Sequence, residues 1–211
     1  TSSRFLELDA SSFDASILRE LLAAVAHMFV ALYGVGPDSD TAKRIFSTLD
    51  LVATMPILVG NTMLARTRGL LSGIFGTSLV DSCVTLIANI YVMGLQTKKA
   101  SHDPEWYFTN VCPKTCGDDF LASVARGLTT RLDLDKLIKD YSSVLGLTYT
   151  TAKKDDNTLE WKSVRGGSFV SRFATRLVNH PSYWVSRLKP EALSGALCYS
   201  KASDPQEILN Q

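Results

Sequence analysis

The sequence predicts an α+β fold, an antiparallel sheet covered by helices on one face. Three observations carry that expectation. Short strand-like segments are joined by hairpin turns rather than by crossover helices. Other segments place apolar residues at helical spacing, above all a long apolar run over 73–95. Of the 211 residues, 45% are hydrophobic and 20% charged, enough to bury a core and too apolar for a disordered chain.

The elements follow in order. Phe5-Leu6-Glu7-Leu8-Asp9 alternates apolar and polar residues and reads as a strand, with 9–14 as its exit. Asp14 or Ser16 is expected to cap a helix reaching Tyr33, with Ile17, Leu18, Leu21, Leu22, Val25 and Met28 on its apolar face. Gly34-Val35-Gly36-Pro37-Asp38 ends it. A second helix spans 41–54 and stops near Pro56, and 57–64 forms a hairpin turning at Gly60-Asn61. A glycine-rich loop over 67–76 enters a helix at about 76–95. The run 73–95 is long enough to cross a bilayer, but Asp81 and Asn89 near its middle favour a buried helix.

A polar loop over 96–104 follows. Val111 to Cys116 then leads into Gly117-Asp118-Asp119, and Phe120 to Val124 leads out. An apolar approach, a glycine, two acids and an apolar exit predict a tight hairpin with carboxylates at its tip. Next come a helix over 132–145, a short strand at Gly146-Leu147-Thr148-Tyr149-Thr150 and a charged turn over 153–157. A hairpin is expected around 168–173. His180-Pro181 and Lys189-Pro190 punctuate the tail, and Pro190 and Asp204-Pro205 each start a helix.

Composition excludes little else. Twenty-two basic and 21 acidic residues leave a net charge of +1, which neither demands nor excludes a polyanionic partner. Four cysteines are too few and too scattered for a disulfide scaffold. Cys112 and Cys116, with His102 upstream, lack the second pair that a zinc site needs, so the cysteines read as buried reduced thiols. There is no signal peptide, internal repeat or low-complexity tract. The opening Thr1-Ser2-Ser3-Arg4 lacks an initiator Met, as expected of a piece of a longer protein.

Asp9, Asp118 and Asp119 lie on two separate strand ends. A Gly-Asp-Asp triplet alone is also an ordinary surface turn. Carboxylates gathered at strand ends, however, repel unless a cation or a proton sits among them. Mg²⁺ prefers oxygen ligands and is commonly held by one or two carboxylates with substrate phosphates. Two such ions about 4 Å apart clamp the attacking and leaving oxygens of a phosphoryl displacement. The acids therefore fit nucleotidyl transfer.

Five segments, in this order, resemble the motifs of viral RNA-dependent RNA polymerases. Asp9-x4-Asp14 looks like motif A. Ser72-Gly73-Ile74-Phe75-Gly76-Thr77-Ser78-Leu79-Val80-Asp81-Ser82 looks like motif B, and Gly117-Asp118-Asp119 looks like motif C. Residues 146–150 with Lys153-Lys154 resemble motif D, and Phe169-Val170-Ser171-Arg172 resembles motif E. The order and spacings are similar to those of the picornavirus-like superfamily of positive-strand RNA viruses.

The resemblance implies a polymerase palm: a central antiparallel sheet with packed helices. Residues 1–180 would be palm, with part of the fingers insertion at 15–68, and 181–211 would begin the thumb. Asp9, Asp118 and Asp119 would be the metal ligands. Asp14 would sense the ribose 2′-hydroxyl, Ser72 and Gly73 would open a mobile loop, and Thr77 would help hold Asp14 and the ribose. Lys154 would protonate the pyrophosphate leaving group, with Lys153 as the competing candidate. Phe169 and Arg172 would lie near the primer grip.

The implied activity is template-directed RNA synthesis from ribonucleoside triphosphates on an RNA template and primer, with Mg²⁺, or Mn²⁺ in its place. The implied setting is a polyprotein product in replication complexes of the host cytoplasm. Other viral replication proteins would be partners, and membrane would be met only indirectly. The upstream fingers and most of the thumb are expected to be absent, so the fragment alone is expected to be inactive. A catalytically silent RNA-binding relic is the alternative; a reverse transcriptase is disfavoured by Asp14, where those enzymes place an aromatic gate.

Two positions depart from the family pattern. Asp81 stands where motif B usually has Asn, and an ionised Asp cannot donate a hydrogen bond. Beside Asp14 it should raise at least one pKa or recruit a cation, so one carboxyl of the pair is expected to be protonated when nucleotide is bound. Ser171 stands where motif E often has Lys.

Overall fold

The computed structural model describes residues 4–74, 76–98, 103–150, 159–163, 166–170, 172–177, 179–190 and 192. Lys153, Lys154, His102, Ser171, Cys198, the turn over 153–157 and the helix expected from Asp204 lie outside them.

Strand β1 (Arg4–Ser11) pairs antiparallel with β5 (Asp119–Val124) on one side and β6 (Thr148–Thr150) on the other. With β4 (Val111–Cys116) paired to β5, the order is β4-β5-β1-β6. Register sets the two faces. Leu6 opposes Ala122 and Leu8 opposes Phe120, and all four are buried. Successive side chains alternate, so Glu7, Asp9, Asp119 and Leu121 share the opposite face.

Helices cover the apolar face, as the sequence predicts. Helix α2 (Arg19–Tyr33) buries Leu21, Leu22, Val25, Ala26 and Val30. Gly34 closes it with φ 64°, a left-handed conformation that favours glycine. The paired helix α3 (Asp40–Thr54) is capped by Ser39, whose Oγ accepts from Ala42 N at 3.2 Å. The long helix α4 (Thr77–Thr97) buries Val84, Ala88 and Val92 at four-residue spacing. It is long and apolar enough to cross a membrane, but more than half of its most apolar window is buried against the rest of the fold. Helix α7 (Leu134–Leu145) buries Leu137, Tyr141 and Leu145 in the same way. Each fully buried aliphatic side chain of this kind contributes about 1.5–3 kcal/mol.

The helix expected to begin at Asp14 or Ser16 is instead broken in two. A short helix α1 (Phe13–Ser16) precedes α2, and Leu18 starts α2 without a side-chain cap. Ser16 Oγ donates to Phe13 O at 2.8 Å rather than capping. The break has a tertiary cause. The carbonyls of Asp14 and Ile17 accept from Leu70 N and Gly69 N, each at 2.7 Å, and so are withdrawn from the helical ladder.

The hairpin β2 (Ile57–Val59) and β3 (Thr62–Leu64) forms as expected around Gly60 and Asn61. The polar loop expected over 96–104 loses residues 96 and 97 to α4, and a helix that the sequence reading did not foresee, α5 (Pro104–Asn110), begins at its last residue. Asp103 caps α5 by accepting from Trp106 N at 2.9 Å, and Pro104 sits in its first turn. A single turn, α6 (Arg126–Thr129), follows β5. Cys83 is buried, but Cys112 and Cys116 are exposed, because they alternate outward along β4 while Val111 points inward.

A second sheet, β7 (Ser168–Phe169), β8 (Arg172–Leu177) and β9 (His180–Leu188), packs against the opposite face of β5. Glu7, buried on that face, joins the two sheets. It pairs with Lys162 Nζ at 2.6 Å and accepts from Ser168 N at 3.1 Å. His180-Pro181 does not interrupt the chain. It enters β9, whose pairing with β8 shifts register between Arg176 and Leu177, so the proline's missing N–H falls in the irregular stretch. The expected palm–thumb boundary thus falls at the start of a continuous strand.

Candidate active site

The site is built at one end of the four-stranded sheet. Gly117 and Asp118 form the two-residue connection between β4 and β5, with Cys116 opposite Asp119. Gly117 takes φ 63° and Asp118 does not share that positive φ, the pattern of a type II′ hairpin turn. Asp119 opens β5 on the same sheet face as Asp9 of β1, and both line a small polar cavity of about 170 Å³ with Glu7, Phe169 and Lys189. Burial, then Asp118, Asp9 and Glu7, raise the Asp119 carboxyl above its usual range, and Lys189 opposes them.

The three predicted metal ligands therefore share one electrostatic environment. Among the described residues, no three His, Cys, Asp or Glu side chains are drawn together as a closed ligand set, Cys112 and Cys116 included. The donor chemistry nonetheless suits a hard divalent cation: oxygen ligands, several negative charges, and a mutual repulsion that a cation would relieve.

A second group of side chains faces these acids. Asp14, half-buried on α1, accepts a hydrogen bond from Ser72 Oγ. Asp81, in the first turns of α4, is only 5% exposed. Its carboxyl is pushed up to about 7 by burial, then by the charges of Asp14 and Asp118 and by a hydrogen bond with Asp14. Its Oδ1 has no hydrogen-bond partner among the described residues. The Asp14–Asp81 interaction foreseen from the substitution is thus present, and it adds to burial in raising the Asp81 carboxyl.

The loop before α4 reaches Asp14 because Gly69 lets it. At φ +91° a Cβ there would lie 2.8 Å from Asp14 O and 3.3 Å from Ala15 Cα, so the backbones meet only with glycine. Gly73 also has positive φ but nothing within 4 Å of a Cβ. Thr77 is not joined to Asp14 by a hydrogen bond. Its Oγ1 donates to Ile74 O at 2.7 Å and ties the loop to the helix start.

On the remaining side, Phe169 lies between the polar cavity and a larger apolar one of about 530 Å³, which exposed Arg172 lines with Phe5, Phe173 and Trp184. Lys189 is the cation that faces Asp119. Sequence reasoning missed it, as it missed Gly69. Lysine before a proline signals only a boundary, and the nearness to Asp119 comes from the second sheet.

A family model described as viral RNA-dependent RNA polymerase matches residues 1–211. No curated protein matches the chain. Among solved structures, a Sicinivirus 3Dpol RNA-dependent RNA polymerase is similar with a TM-score of 0.79 at 18% sequence identity. The match covers 98% of this chain and 41% of that polymerase, so the chain spans about two fifths of its length. That likeness is one of fold, and it gives the α+β architecture described above its counterpart in a polymerase.

Proposed function

Because the chain belongs to the viral RNA-dependent RNA polymerase family, we propose that it is the palm of such an enzyme and carries the centre for template-directed nucleotidyl transfer. The observation that carries this reading is the arrival of Asp9, Asp118 and Asp119 at one sheet end, facing Asp14 and Asp81. In this reading 1–180 is palm, with 15–68 contributing to the fingers, and 181–211 begins the thumb. RNA template, primer and ribonucleoside triphosphates are its partners, in replication complexes of the host cytoplasm.

Asp9, Asp118 and Asp119 would hold Mg²⁺, or Mn²⁺ in its place. Such ions stabilise charge on the attacking and leaving oxygens. The chain's own residues bind and orient. Asp14 accepts from the ribose 2′-hydroxyl, which marks a ribonucleotide. Ser72 holds Asp14 through the hydroxyl it already donates to it. Protonated Asp81 supplies the donor that the family's Asn would supply. Lys154 protonates the departing pyrophosphate, and Arg172 and Lys189 offer cations along the primer side.

The test is incorporation of labelled ribonucleotide on a primed RNA template by the full polymerase carrying this segment, with Mg²⁺. Asp118→Ala should lower the rate by about 10³-fold or more. Activity that survives the substitution contradicts the assignment of Asp118. A correctly folded but inactive wild type turns the reading to a silent relic.

A further inference from the structure

Gly117 is held from outside its own hairpin. Ser82 Oγ accepts from Gly117 N at 2.8 Å, and Thr85 Oγ1 donates to Gly117 O at 2.9 Å. Both hydroxyls come from α4, three residues apart and so on one helix face. The hydrogen-bond inventory closes at Ser82. Its one proton goes to Ser78 O at 2.6 Å, which leaves an oxygen lone pair for the glycine amide.

The grip continues inward. Asn89 Nδ2 donates to Thr85 O at 2.8 Å, and the Tyr141 hydroxyl donates to Asn89 Oδ1 at 2.5 Å. Thr85, Asn89 and Tyr141 are all fully buried. The turn that bears the acids is therefore tied through α4 to α7 by a continuous chain of hydrogen bonds. In a low-dielectric interior such a chain holds its members in one arrangement.

Gly117 O belongs to the peptide plane that leads into Asp118. Holding that oxygen holds the plane, and with it the N–Cα bond from which the Asp118 side chain is set. Gly117 N fixes the preceding plane. A two-residue turn with a glycine would otherwise be the most adjustable part of the hairpin.

We infer that Ser82 and Thr85 are positioning residues, which clamp both backbone groups of Gly117 and so set Asp118 and Asp119 for metal binding. The inference deepens the proposed function and rests on it. Neither hydroxyl touches substrate; each acts through the turn. Partners of metal-ligating groups commonly cost about 10–100-fold in metal affinity or activity when removed.

The experiment uses the full polymerase and two readouts that do not need turnover. Hydrogen exchange measures the Gly117 amide, with the β1 and β5 amides as controls. Paramagnetic titration with Mn²⁺ alone measures metal affinity. In the wild type the Gly117 amide should be protected. Ser82→Ala should speed its exchange by about tenfold while the strand amides stay unchanged.

Thr85→Val keeps the shape of the side chain but loses the donor, and should weaken Mn²⁺ binding by about tenfold. Thr85→Ser restores the hydroxyl and should restore the affinity. An unprotected Gly117 amide in the wild type overturns the clamp, as does unchanged Mn²⁺ affinity in both variants. Thr85→Ser binding no better than Thr85→Val overturns it too, since packing rather than the hydroxyl would then matter. A folded wild type that binds no Mn²⁺ instead overturns the metal reading of the acids, so the two failures are distinct.

Discussion

The two sides of the site are built in different ways. On the side of the proposed metal ligands, the Gly117-Asp118 turn is short, its glycine is bonded at both backbone groups, and the chain of hydrogen bonds behind it is buried. On the side of the proposed ribose contact, Ser72 and Gly73 are exposed, and the backbone of the loop is bonded to the body of the fold through Gly69 and Leu70. Few buried contacts mean cheap local opening; many mean that opening costs a large part of the global stability. The comparison teaches a division of labour. In the proposed reading, the acids that would hold metal hang from a helix, while the loop that would meet the nucleotide is held at Gly69 and Leu70 and leaves Ser72 and Gly73 exposed.

The largest effect that would separate the sides is Gly69→Ala. The substitution strains a positive φ and forces a Cβ against the Asp14 carbonyl, at a cost of about 1–3 kcal/mol. The loop should lift from α1 and take Ser72 away from Asp14. We expect kcat/KM for ribonucleotide to fall by about tenfold or more, with Mn²⁺ affinity unchanged. A parallel loss of Mn²⁺ affinity would break the comparison, because the two sides would then move as one.

Ser72→Ala is a milder cut on the same side. It removes one exposed hydroxyl from Asp14 and leaves the loop backbone in place. Discrimination between ribonucleotide and deoxyribonucleotide should fall by about threefold to tenfold. Single-turnover incorporation of the two substrates measures it. An unchanged ratio would mean that Asp14 needs no help from Ser72.

How legible each side was follows from the range of its interactions. The hairpin at 117–118 announces itself locally, by a glycine between alternating segments, and α4 by its spacing of Val84, Ala88 and Val92. Helix α5 was missed, although Asp103-Pro104 is a start signal, because the polar loop was read as running straight into the hairpin. The break between α1 and α2 was not legible. It depends on amides of residues 69 and 70, more than fifty positions away, taking the carbonyls of Ile17 and Asp14. The same holds for Ser82 and Thr85, whose partner Gly117 lies 35 and 32 residues away. Lys189 meets Asp119 only because β7, β8 and β9 fold back over the sheet. Asp81 stood between these cases: the substitution was visible, but the burial that chiefly raises its carboxyl was not.

An effect on stability rather than on activity sharpens the boundary between the two sides, where Asp81 feels both Asp14 and Asp118. Its carboxyl rises from 3.8 to about 7 on folding, chiefly by burial. Between those values the folded chain holds a proton that the unfolded chain has released. Stability from this group is therefore complete below pH 3.8 and falls as pH rises toward 7. Asp81→Asn removes the ionisable group and should flatten that part of the curve. At pH 7.5, without metal, the variant should melt at a higher temperature than the wild type. Below pH 4 the two should converge. Melting curves across that range in the presence of a chelator measure the difference. Because an amide also supplies the donor that the protonated acid supplies, nucleotide selection should persist in the variant. A variant that loses stability at neutral pH under these metal-free conditions would overturn the raised Asp81 carboxyl, because the ionised acid would then be the better-held form.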